Sequence, residues 1–133
     1  MSNEKEDVMT NYKNIELGKL DEIINAENGK VFLHDALGLT SSEISVNCMP
    51  VGFKIPFNHK HFQNEEIYIF LKGEGIMTVD NSGIKVKEGS CVKVLPAASR
   101  TLENTGSEAL QFICIQAKEN SLEQFCLKDA ELC

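Results

Sequence analysis

Basic residues are in short supply in this chain. Thirteen Lys and Arg stand against twenty Asp and Glu, for a formal net charge of −7. That surplus keeps a protein soluble and argues against a nucleic-acid partner, whose phosphates need a basic face. No apolar run approaches the ~20 residues that a membrane-spanning helix requires. The polar N-terminus has none of the pattern of a secretory leader, so no membrane partner is expected and the expected location is cytoplasmic. No internal repeat or low-complexity linker interrupts the sequence. There is no Cys-x-x-Cys: the cysteines are five in number, an odd and widely spaced set (Cys48, Cys91, Cys114, Cys126 and Cys133), which excludes a disulfide framework and a zinc knuckle. Cys48, Cys91 and Cys114 lie in apolar runs and are expected to act as small buried hydrophobes, whereas Cys133 is expected to be exposed and oxidisable.

What remains is an ordinary globular composition, 42% apolar and 25% charged over 133 residues, long enough for one domain with a proper core. Residues 1–12 are expected to form a flexible tail and residues 13–133 a single domain. Asn14 to Ile24 has mixed spacing, compatible with a strand followed by a short helical turn. Lys30 to Leu39 reads as a first strand turning at Gly38, with His34 at a strand edge or on the surface. Glu43 to Pro50 alternates, with Ile44, Val46 and Cys48 on one face and Ser45, Asn47 and Met49 on the other, as in a half-buried strand.

Further short strands are expected at Ile76–Val79, around Ile84 and Val86, at Ser90–Leu95 and at Ala109–Ala117. They are separated by Lys72-Gly73-Glu74-Gly75, Asp80-Asn81-Ser82-Gly83, Glu88-Gly89 and Thr105-Gly106-Ser107, all turn-forming sequences. Ser121–Leu127 suits either a helical turn or a last strand. Short strands at near-regular spacing indicate an all-β sandwich or barrel.

Two of the three histidines, His59 and His61, fall within the segment from Gly52 to Gly73. On an extended chain, residues two apart share a face with Cα atoms about 6.6 Å apart, so the two imidazoles can bind one small cation. A carboxylate from a neighbouring strand would complete a cluster of two histidines and one acid with open coordination positions. Glu66 is the better candidate and Glu65 the alternative. The odd offset between His61 and Glu66 requires a turn or bulge among Phe62, Gln63, Asn64 and Glu65. Beyond Glu66, Tyr68 and Phe70 share its face, and Ile67, Ile69 and Leu71 form the other. A strand apolar on both faces needs cover on both sides, and a homodimer is expected to supply it unless the N-terminal segment does.

The string His59, His61, Glu66, Gly73 resembles the first motif of the cupin family: His-x-His, four residues, Glu, six residues, Gly. Pro56 precedes it by three residues, and Gly52 lies one residue from the commonest spacing of the leading glycine. The resemblance implies an all-β double-stranded β-helix, or jelly-roll, cupin barrel with a short N-terminal segment. It also implies that His59, His61 and Glu66 ligate a divalent transition metal, whether zinc, iron, manganese or nickel. The family's second motif is matched less well by Gly89 to Asn104. Pro96 and Asn104 fit, but Ala98 replaces a glycine, one residue is missing before Asn104, and Thr101 stands where the fourth ligand, a histidine, belongs.

Gln63 could supply a neutral oxygen in its stead or serve only as a turn residue. Arg100 either points an unpaired cation into the barrel mouth to grip a carboxylate or phosphate or lies on the surface, and Tyr68 either lines the pocket or is a core residue with its hydroxyl hydrogen-bonded. One fold hosts many chemistries, and two readings follow. In the first, a metal-dependent isomerase, decarboxylase or dioxygenase acts on a small polar or anionic molecule. In the second, a non-catalytic module with a degenerate metal site binds a sugar or carboxylate.

Overall fold

The computed structural model describes residues 11–25 and 29–132. The tail expected over residues 1–12 lies outside the described residues except for Asn11 and Tyr12, and so does Cys133. The described residues form eight strands: β1 (Lys30–Phe32), β2 (Glu43–Met49), β3 (Asn64–Lys72), β4 (Glu74–Val79), β5 (Ser82–Lys87), β6 (Cys91–Val94), β7 (Arg100–Asn104) and β8 (Leu110–Lys118). They make a five-stranded sheet, ordered β1-β2-β8-β3-β6, and a three-stranded sheet, ordered β5-β4-β7. All pairings are antiparallel, and the two sheets enclose one core as a jelly roll.

Register assigns the faces. Tyr68 pairs with Cys114, and Phe70 with Phe112, so these side chains share the inner face. With Met49, Met77, Leu102 and Leu110 they build the buried centre. Ile67 pairs with Ile115, and Ile69 with Ile113, on the outer face. A 3₁₀ turn at Leu20–Asn25 covers the β2 end of that outer face, where Ile23 packs with Val46 and Cys48.

Several expectations need correction. The run Lys30–Leu39 is not one strand. It contains β1 and then a single helical turn, α1 (His34–Leu37), ended by Gly38 at φ 66°. The pairing of β1 with β2 forces the chain to reverse here, and His-Asp-Ala-Leu has no β-branched residue to oppose a helical turn. Gly73 alone, at φ +93°, carries the chain from β3 in one sheet to β4 in the other. Gly75, expected in the turn, instead lies inside β4, where a Cβ would come 2.6 Å from the Glu103 carbonyl oxygen. Cys91 is exposed, because β6 is an edge strand and Cys91 pairs with Ile69 on the outer face. Strand β7, not anticipated as a strand, turns out to be central to the site.

Candidate metal centre

The histidine segment is not a regular strand. Residues 53–59 run along the free edge of β7, held by isolated bridges between Lys54 and Glu103 and between His59 and Arg100. Thr101 has a definite part in this: its Oγ1 donates to the Ile55 carbonyl at 3.1 Å. The residue in the place of a fourth ligand therefore ties the histidine segment to the small sheet. The chain then bends at Phe62 and Gln63 and enters β3 in the large sheet. His59 thus comes from the edge of one sheet, His61 from the bend after it, where its N–H donates to the Pro96 carbonyl at 2.8 Å, and Glu66 from the other sheet, and they meet across the barrel interior.

Their ligand atoms all lie within 4.8 Å of one another, and the two imidazole rings are 5.3 Å apart, edge to face. Glu66 Oε2 is 3.1 Å from His61 Nε2. The other oxygen, Oε1, accepts from the Tyr68 hydroxyl at 2.6 Å and from Arg100 Nη1 at 2.8 Å. One carboxylate oxygen is thereby held by the protein, and the other is presented to the histidines.

Arg100 departs most from its expected role. It is 1% exposed and is not an unpaired cation at the mouth. Besides Glu66, it donates to the carbonyls of Leu95 at 2.6 Å, Ala98 at 3.1 Å and Pro96 at 3.4 Å. A buried guanidinium demands such partners, and here they pin the β6–β7 connection beneath the site.

The electrostatics follow from this packing. Burial acts to raise the Glu66 carboxyl, but the Tyr68 hydrogen bond and the charges of His61 and Arg100 hold it below the usual carboxylate range. Burial, with the cations Arg100 and Lys30 nearby, lowers His59 and favours the neutral imidazole that a metal needs. The Tyr68 phenol is pushed up by burial and by Glu66, so it stays a donor. Burial and then the Glu66 charge push the Cys114 thiol up to about 12.

A metal ion fits these residues. His59 Nδ1 is buried without a hydrogen-bond partner, one Glu66 oxygen is directed at the histidines, and neutral imidazole with carboxylate is a donor set suited to 3d metals.

Glu65, adjacent to Glu66 in β3, lies on the opposite face of the strand. Gln63 is exposed; its backbone carbonyl accepts from Glu119, and it does not line the cavity at the site. That cavity, of about 610 Å³, is lined by His59, His61, Glu66, Tyr68, Arg100 and Thr101. Sequence reasoning overlooked other residues around it: Lys30 and Phe32 from β1, Ser45 and Asn47 from β2, and Phe53 and Phe57 ahead of the histidines. The one available signal was the polar face of β2, Ser45 and Asn47, which proves to be the inward one. Both are buried, and Asn47 donates to Ser45 Oγ at 3.0 Å.

Comparison with known proteins agrees with this architecture. The family model for the cupin domain matches residues 45–116. A crystal structure of a cupin protein from Bacteroides fragilis superposes with a TM-score of 0.81 at 35% identity, covering 93% of this chain and 98% of that one. An uncharacterized protein of Methanocaldococcus jannaschii is 41% identical over 66 residues, 50% of this chain and 52% of its own length. An oxalate-binding protein of Thermotoga maritima is 33% identical over 67 residues, 50% of this chain and 54% of its own. The chain spans about half the length of the curated relatives it matches. By its first motif, its two-sheet barrel and these matches, the chain belongs to the cupin family.

Proposed function

We propose that His59, His61 and Glu66 hold a divalent transition metal that engages an oxygen-bearing small molecule in the barrel, as in an isomerase, decarboxylase or dioxygenase. The observation that carries this reading is the convergence of three ligand atoms within 4.8 Å beside a buried, unpartnered His59 nitrogen. When bound, the metal would act as a Lewis acid toward a substrate oxygen or activate oxygen. The chain's own residues do the rest. Tyr68 and Arg100 fix Glu66 so that one oxygen is free to ligate, and Thr101 anchors the histidine segment. With Thr101 in place of a fourth ligand, the set leaves more positions open to a substrate and binds metal less tightly.

A second reading, a binding module without turnover, is favoured by that same missing ligand and by the likeness to a protein that binds oxalate. Elemental analysis of protein purified without chelator separates the two. Near-stoichiometric zinc, iron, manganese or nickel that disappears in His59→Ala supports the metal reading. Metal-free protein whose melting temperature still rises with a carboxylate or sugar supports the binder. We further propose a homodimer formed through the outer face of β3 and β8, where Ile67, Ile69 and Leu71 are only half-buried. The N-terminal 3₁₀ turn packs on Val46 and Cys48. A monomer in light scattering would refute the dimer.

A further inference from the structure

The cavity sets a polar patch, Ser45, Asn47 and Gln116, beside the histidines, and the rest of its lining is of a different kind. Its inner walls are largely apolar, with Met49, Ile55, Met77, Leu102 and Phe112 facing in. At its rim, three aromatic rings are left open to solvent: Phe32 is 52% exposed, Phe53 45% and Phe57 59%. Phe62 and Phe125 are exposed elsewhere, but these three converge on one opening, and a contiguous exposed apolar patch marks a binding surface. A pocket of this size is within the range that holds drug-sized ligands burying most of their surface, and oxalate would leave most of it empty.

Charge supplies the second half of the argument. Lining the cavity are one carboxylate, Glu66, and two cations, Arg100 and Lys30. Glu66 and Arg100 neutralise each other at 2.8 Å. Lys30 is exposed at the mouth, its Nζ 5.4 Å from the centre of the Phe32 ring, and no carboxylate pairs with it among the described residues. It is therefore the uncompensated charge of the cavity wall, in a protein whose net charge is −7. A cation beside aromatic faces suits an anion attached to an apolar body.

We infer that the ligand of this barrel is an amphiphilic acid, an aromatic or branched aliphatic carboxylate, with its body against Phe32, Phe53 and Phe57 and its charge answered by Lys30. The inference rests on the metal-site reading only in that the same cavity is used. Polar groups of the ligand face His59 and His61, while the rim selects the body.

The test is calorimetric titration of the zinc-loaded full chain with phenylpyruvate, oxalate and glucose 6-phosphate, with metal content measured before and after. Phenylpyruvate is expected to bind at least about ten-fold tighter than either polar probe, since burial of one aromatic ring accounts for such a factor. Lys30→Gln should weaken it about two- to five-fold and flatten its salt dependence. Phe57→Ala should weaken it about ten-fold and leave oxalate unchanged. Both side chains are exposed, and far-UV circular dichroism checks that each variant folds. Equal or tighter binding of oxalate or glucose 6-phosphate overturns the inference, as does phenylpyruvate binding indifferent to both substitutions, even if zinc is held through His59. Conversely, protein that takes up no zinc but binds phenylpyruvate through Lys30 and Phe57 upholds the ligand class and removes the metal reading.

Discussion

Replacing Arg100 by methionine is the most severe perturbation the site offers. The guanidinium and the Glu66 carboxylate are 1% and 3% exposed, with 2.8 Å between Nη1 and Oε1. Breaking a buried pair from one side leaves the other charge uncompensated, at a cost of ~3–5 kcal/mol. The carbonyls of Leu95, Pro96 and Ala98 lose a donor in the same step, which places the expected loss at the upper end of that range. A domain of this length holds ~5–15 kcal/mol, so Arg100→Met should fold but with a large part of its stability gone.

Arg100→Lys keeps the charge but reaches fewer of these acceptors, and should lose ~1–3 kcal/mol. Urea unfolding followed by far-UV circular dichroism is the suitable assay, because the chain has no tryptophan to report by fluorescence. A double-mutant cycle with Glu66→Gln should return a coupling of ~1–3 kcal/mol, the double variant losing less than the sum of the two. If Arg100→Met costs under about 1 kcal/mol, or if the cycle shows no coupling, the pair does not hold Glu66 in place and the geometry of the site needs another explanation.

The glycines differ in a way that stability measurements can read. Gly52→Ala at φ +79° meets nothing within 4 Å and should cost only the backbone strain, ~1 kcal/mol. Gly73→Ala at φ +93° brings a Cβ to 2.7 Å from the Ala109 carbonyl oxygen and should cost ~3 kcal/mol or more; equal losses at the two positions would contradict the crossing described at Gly73. Native protein treated with iodoacetamide and mapped by mass spectrometry should be labelled at exposed Cys91 and Cys126 and protected at buried Cys48 and Cys114. The burial that raises the Cys114 thiol to about 12 also keeps reagent away and the thiol un-ionised, so fast labelling there would show that the barrel interior is open.

Which parts of the site the chain reveals by itself depends on how far apart the contributing residues lie. The alternation in β2 and β8, the glycine turns and the spacing of His59, His61, Glu66 and Gly73 are local features, and they sufficed to indicate a jelly roll of the cupin type. The helical turn at His34–Leu37 was missed because the reversal between β1 and β2, a pairing between distant residues, overrides a short apolar run. The exposure of Cys91 could not be foreseen for a similar reason, since an apolar stretch does not reveal whether it becomes an edge strand. Arg100 and Thr101 could be singled out from the second motif. Their roles, one neutralised beneath Glu66 and the other bound to Ile55, come from contacts between segments 34 and 46 residues apart. Sequence alone determined which residues could serve as ligands, because donor chemistry and short-range periodicity are properties of the chain. Only the tertiary structure decided that histidines from the segment beside one sheet and a glutamate from the other sheet face each other beneath Lys30 and three phenylalanines, because closing the barrel brings together side chains that no local pattern relates.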